Sequence, residues 1–181
     1  PPATYVEYVS TLKTLVRDLK PSKDLTVYNF LQDGGCVIVL DLREWEEFSK
    51  GFIRNSFFIG SDNSYQTPID KLESFMESKI QFYEERDKNP GPRIPIRIVL
   101  VGNKDLFQER CIGILTSEKI GLVLFDKKCK FYLLDDFEQF RDTFPFVTLR
   151  YQSVPLNPYD DNSLLVDGGE RAILYSNSAF P

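Results

Sequence analysis

The chain has 181 residues, of which 42% are hydrophobic, 27% are charged and none is histidine. This length suggests one domain and is ample for a hydrophobic core. The missing histidine excludes Ser-His-Asp and Cys-His catalysis, and it excludes histidine-ligated zinc, haem and non-haem iron. The net charge of −5 argues against nucleic acid or an anionic membrane as the main partner, because both require a basic surface.

Cysteine usage and the lack of long apolar runs indicate the compartment. Cys36, Cys111 and Cys129 are too few and too scattered for a disulfide framework, which favours a reducing, cytoplasmic compartment. No apolar run approaches the roughly 20 residues that a membrane span needs, so we expect no membrane insertion. The start at Pro1 has neither an initiator Met nor a signal-peptide pattern, which indicates a segment of a longer chain.

The first predicted elements are two helices and a strand. Apolar residues recur at helical spacing over residues 5–19, and Pro21 ends this N-terminal helix. A second helix is predicted over residues 26–33, with Thr26 as its N-cap and a glycine pair as its stop. Residues 36–41 follow as a continuous β-branched run, which is typical of a parallel strand buried on both faces.

The middle of the chain continues the alternation of helices and strands. Residues 45–50 predict a short helix, residues 57–59 a short strand and residues 96–101 a second buried strand. Thr67-Pro68 is typical of a helix start, because the threonine can cap the helix and proline suits the first helical position. Apolar spacing from Ile69 onward predicts that this helix is long.

The last third of the chain adds more of the same elements. An amphipathic helix is predicted over residues 107–115, followed by strands at Leu122–Phe125 and Lys130–Leu134. Asp136 caps a last helix, which stops at Pro145. Strands that alternate with helices predict an α/β fold with a parallel sheet covered on both sides.

The helix and strand patterns fail from Thr148 on, so residues 148–181 are predicted to form an extended linker or arm. Apolar islands such as Leu164-Leu165-Val166 leave two interpretations open: an interdomain linker, or an arm that packs over the core or a neighbouring molecule. The N-terminal helix, residues 1–21, could likewise cover a sheet face or serve as an interface. We expect a monomer or a weak dimer.

Several motifs, in their order along the chain, resemble the rhodanese-domain signature. They are Val39–Glu44, Glu47-Phe48, Gly51-Phe52-Ile53, Asn55-Ser56 and, near the end, Phe131–Phe140. The strand at residues 96–101 lies where that family places the strand that delivers its active loop. The resemblance covers residues 22–147 and implies a rhodanese-like three-layer sandwich. Such a sandwich has a mainly parallel five-stranded sheet with helices on both faces.

The departures from this signature concern the catalytic residues. In active rhodaneses a nucleophilic cysteine follows the central strand directly, and here that position falls at or near Gly102. The corresponding stretch has no cysteine: Gly102, Asn103, Lys104, Asp105, Leu106, Phe107, Gln108, Glu109, Arg110. Cys111 falls on the apolar stripe of the next helix, where burial would raise the pKa of its thiol.

Two further signature positions differ from the family pattern. Phe52 replaces the family's histidine, and Asp135-Asp136 replaces its glycine pair. The resemblance therefore implies a rhodanese fold without sulfurtransferase or phosphatase chemistry. We expect no enzyme activity, no cofactor and no metal.

The similarity is greatest to the non-catalytic rhodanese module of dual-specificity phosphatases, including MAP-kinase phosphatases. This implies a regulatory module that binds a protein partner, such as a kinase or a ubiquitin-pathway protein. The family's basic kinase-docking cluster corresponds to residues 60–66, which contain no basic residue, so docking by that route is not expected. Alternatives are the rhodanese modules of ubiquitin-specific proteases and Rab-GAP proteins, or a weak sulfurtransferase or phosphatase that uses Cys111.

Five cationic residues are candidates for binding that partner: Arg43, Arg54, Lys127, Lys128 and Lys130. Arg43 could instead pair with Glu47 one helical turn away or brace the loop region. The lysines could dock an acidic motif or lie on a solvated turn, and Cys129 among them could be an exposed thiol. Trp45 could anchor an interface or pack in the core.

Overall fold

The computed structural model describes residues 4–59, 69–86, 94–151 and 172–174. The helices in these ranges are α1 (Tyr5–Arg17), α2 (Asp24–Gln32), α3 (Trp45–Lys50), α4 (Ile69–Arg86), α5 (Lys104–Leu115), α6 (Glu118–Lys127) and α7 (Phe137–Thr143). The strands are β1 (Val37–Asp41), β2 (Phe52–Ile53), β3 (Phe57–Phe58), β4 (Arg97–Val101), β5 (Lys130–Leu134), β6 (Thr148–Tyr151) and β7 (Ala172–Leu174). Within the same ranges we find no helix with the length and apolar character that a membrane crossing requires.

The main sheet contains four parallel strands in the order β3-β1-β4-β5. Its central pair is in register from Val37 opposite Arg97 to Asp41 opposite Val101. The predicted parallel sheet of β-branched segments is therefore confirmed, with four strands in the described ranges; the predicted fifth strand is not confirmed there. At the β5 edge, Pro21 forms only an isolated parallel bridge with Leu133.

Side chains of the central strands alternate between two helical layers. Ile38 and Leu40 face a core that also receives buried side chains from α1, α4, α5 and α6. Val37 and Val39 face the opposite core, together with Val27 of α2 and the aromatic residues of α7. Because successive residues of a strand point to opposite faces, an all-apolar strand requires helices on both sides, as the sequence predicts.

A second, antiparallel sheet contains three strands in the order β2-β6-β7. It packs with α3 around a group that we call the aromatic cluster: Trp45, Phe48, Phe52, Phe58, Leu149 and Tyr151. Trp45 is buried there, with its ring centroid 5.2 Å from that of Phe58 and 5.4 Å from that of Tyr151. The core interpretation of Trp45 therefore agrees with the structure.

The strand predicted at Leu122–Phe125 is wrong, because these residues belong to helix α6. Buried Ile120, Gly121 and Leu124 form a helical face, and a short apolar run does not by itself distinguish a strand from a buried helix. Tyr5 of α1 lies against this helix so closely that a Cβ on Gly121 would be 2.5 Å from the Tyr5 hydroxyl. The glycine thus permits α1 to approach α6.

Two predicted boundaries also differ from the structure, and a third lies outside the described residues. Helix α2 begins at Asp24, so Thr26 lies within its first turn and is not the N-cap. The extended region predicted from Thr148 begins with β6, which pairs with β2 and β7. The predicted start at Thr67-Pro68 lies outside the described residues, and α4 is described from Ile69.

Candidate functional site

The carboxyl ends of β1 and β4 meet at the centre of the main sheet. The chain leaves β1 toward β3 on one side and leaves β4 toward β5 on the other. In open parallel sheets such a switch in direction creates a crevice at the carboxyl ends of the strands, where ligands commonly bind. The residues that follow β1, β4 and β5 therefore form the first candidate site, which we call the carboxyl edge.

The connection from β4 to α5 is two residues long. Gly102 has a φ of 131°, which strongly favours glycine, and its N–H donates to the carbonyl of Leu134 over 2.9 Å. Asn103 is the N-cap of α5, and its side-chain oxygen accepts the N–H of Asp105 over 3.0 Å. The nine-residue loop predicted over residues 102–110 is therefore mostly helix, because Asn103 caps the chain earlier than the apolar spacing indicates.

Arg43 braces the carboxyl edge from within. Its guanidinium contacts both carboxylate oxygens of Asp41, at 3.0 and 2.8 Å, and donates to the carbonyl of Gly51 over 2.6 Å. The same group lies 4.1 Å from the ring centroid of Phe137. Asp41 is fully buried and only 9% of the Arg43 side chain is exposed, so the partner of Arg43 is Asp41 and not the predicted Glu47.

Asp135 and Asp136 complete this edge after β5. The Asp136 carboxylate accepts the N–H of Gln139 over 3.1 Å and caps α7, which confirms the predicted cap. This cap fixes Phe137, on whose ring the Arg43 guanidinium lies. The polar groups of Asp41, Arg43, Asn103 and Asp136 are thus engaged in holding the sheet and its helices together.

None of the three thiols lies at the carboxyl edge. Cys111 is 1% exposed, and burial raises the pKa of its thiol to about 12. Burial also raises the pKa of Cys129 to about 12, even though Lys127 favours the thiolate, and it raises the pKa of Cys36. Cys129 packs against the core and is not the exposed thiol that the flanking lysines suggest.

The five cationic candidates do not form one surface. Lys127, Lys128 and Lys130 surround the turn from α6 into β5, at the amino end of that strand. Lys127 pairs with Glu84 of α4 over 3.1 Å, and Lys128 ends α6 in a left-handed conformation with a φ of 53°. Arg54 is exposed beside β3, at the other side of the sheet. Arg43 lies at the opposite, carboxyl edge.

A groove beside Arg54 is not evident from the sequence. It has a volume of about 310 Å³ and lies between α2, the amino end of β1, the β2–β3 connection and the C-terminal half of α4. Lys79 and Arg86 of α4 line it together with Arg54. We call it the amino-edge groove. Its cations come from segments far apart in the chain, and the only signal in the sequence is a pair of basic residues, Lys79 and Arg86, two turns apart on the same face of α4.

Metal ligation has no evident site: across the described ranges, no group of three or more Cys, Asp or Glu side chains is placed to hold a metal ion.

In comparisons with known proteins, no family model matches this chain and no curated protein matches it significantly.

Proposed function

We propose that this chain is a non-catalytic rhodanese-like module that binds a protein partner and regulates a larger protein, of the dual-specificity phosphatase type. The proposal joins the resemblance of the motifs at residues 39–56 and 131–140 to the parallel α/β architecture in which they lie. The motifs occupy β1 to β3 and β5 to α7, the elements that surround the carboxyl edge.

The observation that carries the non-catalytic part is the connection from β4 to α5. Its two residues, Gly102 and Asn103, offer no nucleophile, and the asparagine side chain is engaged as a helix cap. Cysteine chemistry requires an accessible thiolate, whereas burial raises the pKa of each of the three cysteines. A scaffold of this kind supports binding rather than group transfer.

The rival proposal is a sulfurtransferase or phosphatase that uses Cys111. Its thiol is buried in the core between the sheet and the helices, so a substrate could reach it only after local unfolding of α5. We therefore assign Cys111 a packing role. Thiosulfate:cyanide sulfur transfer and phosphate-ester hydrolysis by the wild-type module test this point. We expect neither activity, and turnover that disappears in Cys111→Ser would overturn the proposal.

The binding role is tested with the full-length protein and with a form from which residues 22–147 are deleted. A co-purification experiment should show that a specific protein is retained by the full-length form and lost on deletion. Identical partners for both forms would contradict the proposal.

The type of parent protein is tested by the downstream sequence. A Cys-x5-Arg phosphatase loop, or a degenerate form of it, supports a dual-specificity phosphatase. A ubiquitin-specific protease or a GTPase-activating domain downstream would instead assign the module to one of those protein classes.

A further inference from the structure

The amino-edge groove combines an apolar floor with a cationic rim. Phe30 of α2 lines it, buried Ile53 of β2 lies at its floor, and Phe82 of α4 lies at the groove with 65% of its surface exposed. Arg54, Lys79 and Arg86 supply three positive charges, and the described lining residues include no aspartate or glutamate. An exposed aromatic ring beside arginines is the composition of a binding hot spot.

Within the part of the chain that the structure describes, Lys79 is a cation without a counter-ion. Its ammonium donates to the carbonyl of Val37 over 2.9 Å and lies 5.5 Å from the ring centroid of Phe75. Among the described residues no carboxylate pairs with it, and burial lowers the pKa of Lys79. A desolvated charge is costly unless it is paired, so an anion brought to this groove would stabilise the charged form of Lys79.

The two arginines leave their charges available in the same groove. Arg86 donates to the carbonyl of Gly34 over 2.9 Å and lies 5.7 Å from the ring centroid of Phe82, but these contacts do not neutralise it. Arg54 is exposed, and in the described part of the chain it pairs with no carboxylate. The groove is therefore locally positive although the whole chain carries a net charge of −5.

We propose that the amino-edge groove binds an acidic segment of a partner protein, with an aromatic or aliphatic side chain of that segment seated between Phe30, Ile53 and Phe82. Carboxylates on either side of this anchor pair with Arg54, Lys79 and Arg86. The volume of about 310 Å³ suits one large side chain and its flanking backbone. This inference rests on the proposed binding role and specifies its surface.

The test uses a fluorescein-labelled peptide in which one phenylalanine is flanked by aspartates on both sides, and a control peptide with lysines in their place. Fluorescence anisotropy with the whole chain should show saturable binding of the acidic peptide only. Raising the salt should weaken this binding, since exposed charge pairs are screened within about 8–10 Å at physiological ionic strength. No binding of the acidic peptide up to millimolar concentration would overturn the proposal.

Matched variants locate the peptide on the surface. Arg54→Glu should weaken binding at least tenfold, and Lys79→Met should weaken it while leaving the side-chain stem in place. Lys130→Glu makes the same change of charge as Arg54→Glu at an exposed position of β5, and it should change the affinity less than twofold. Equal losses for Arg54→Glu and Lys130→Glu, or a greater loss for Lys130→Glu, would overturn the groove assignment.

The groove and the proposed function can fail separately. If a partner is lost on deletion of the module but Arg54→Glu does not change the affinity for the peptide, only the assignment of binding to the amino-edge groove is overturned. If sulfur transfer depends on Cys111, the proposal of a non-catalytic module is overturned, whereas the peptide measurements would still support binding at the groove.

Discussion

Asp41 is a fully buried carboxylate whose ionic partner is Arg43. Replacing Arg43 by leucine leaves that carboxylate without its charge-assisted hydrogen bonds and uncovers the ring of Phe137. Loss of one partner of a buried ion pair typically costs about 3–5 kcal/mol, so we expect the free energy of unfolding to fall by about 3 kcal/mol in Arg43→Leu. Urea denaturation followed by circular dichroism measures this change.

The matched control for this change is Arg54→Leu, which removes the same charge from an exposed side chain. Surface substitutions usually change stability by less than about 0.5 kcal/mol. The stability of Arg43→Lys should lie between those of Arg43→Leu and Arg54→Leu, because an ammonium cannot reproduce the contact of a guanidinium with both carboxylate oxygens. Equal stabilities for Arg43→Leu and Arg54→Leu would show that the Asp41–Arg43 pair does not stabilise the carboxyl edge.

At the scale of elements, helix α7 depends on its cap. Asp136→Ala removes the acceptor of the Gln139 N–H, and such a loss typically costs about 1 kcal/mol. Asp135→Ala removes an equal charge from the neighbouring exposed position and should cost much less. Chemical denaturation of both variants checks the prediction, and a larger loss for Asp135→Ala would contradict it.

The elements also show what the sequence could predict. Strands β1, β4 and β5 are evident because each is a continuous apolar run bounded by turn residues, and α7 is evident because Asp136 precedes its aromatic residues. Helix α6 cannot be distinguished from a strand by its sequence, because its four consecutive apolar residues, Leu122–Phe125, fit a strand equally well. Strand β2 has only two residues, so no periodicity could reveal the second sheet.

Candidate site residues were harder to predict than elements. The sequence places Gly102 after the central strand and Cys111 on a buried stripe, and both placements agree with the structure. The sequence does not predict the amino-edge groove, because Arg54, Lys79 and Arg86 meet only through the packing of α4 beside β1 and β2. Contacts of this kind depend on the tertiary fold and leave no local pattern.

At the scale of the whole molecule, buried thiols make stability depend on alkaline pH. Burial raises the pKa of Cys111 from 9.0 to about 12, so the fold favours the protonated thiol. This contribution is fully present below pH 9 and is lost as the pH rises through 12. We expect the free energy of unfolding to decline over this interval, by at most about 1.4 kcal/mol per pH unit for one such thiol.

Cys111→Ala should make the decline shallower without abolishing it, because burial also raises the pKa of Cys129 and of Tyr8. Denaturant titrations at several values of pH between 8 and 11 would measure the slope for both proteins. The same slope for the wild type and Cys111→Ala would show that the Cys111 thiol does not carry this dependence.

The pairing of β2 with β6 has a consequence for the order of folding. Phe52 lies opposite Leu149, so β2 and β6 are far apart in the sequence and most of the main sheet lies between them along the chain. Closing so long a loop is entropically costly, which places the second sheet late among the folding events. The single tryptophan of the chain, Trp45, is packed against Tyr151 at the end of β6. Its fluorescence in a stopped-flow refolding experiment should therefore change after most of the helical circular dichroism has returned, which would make Trp45 a built-in reporter of the final closure.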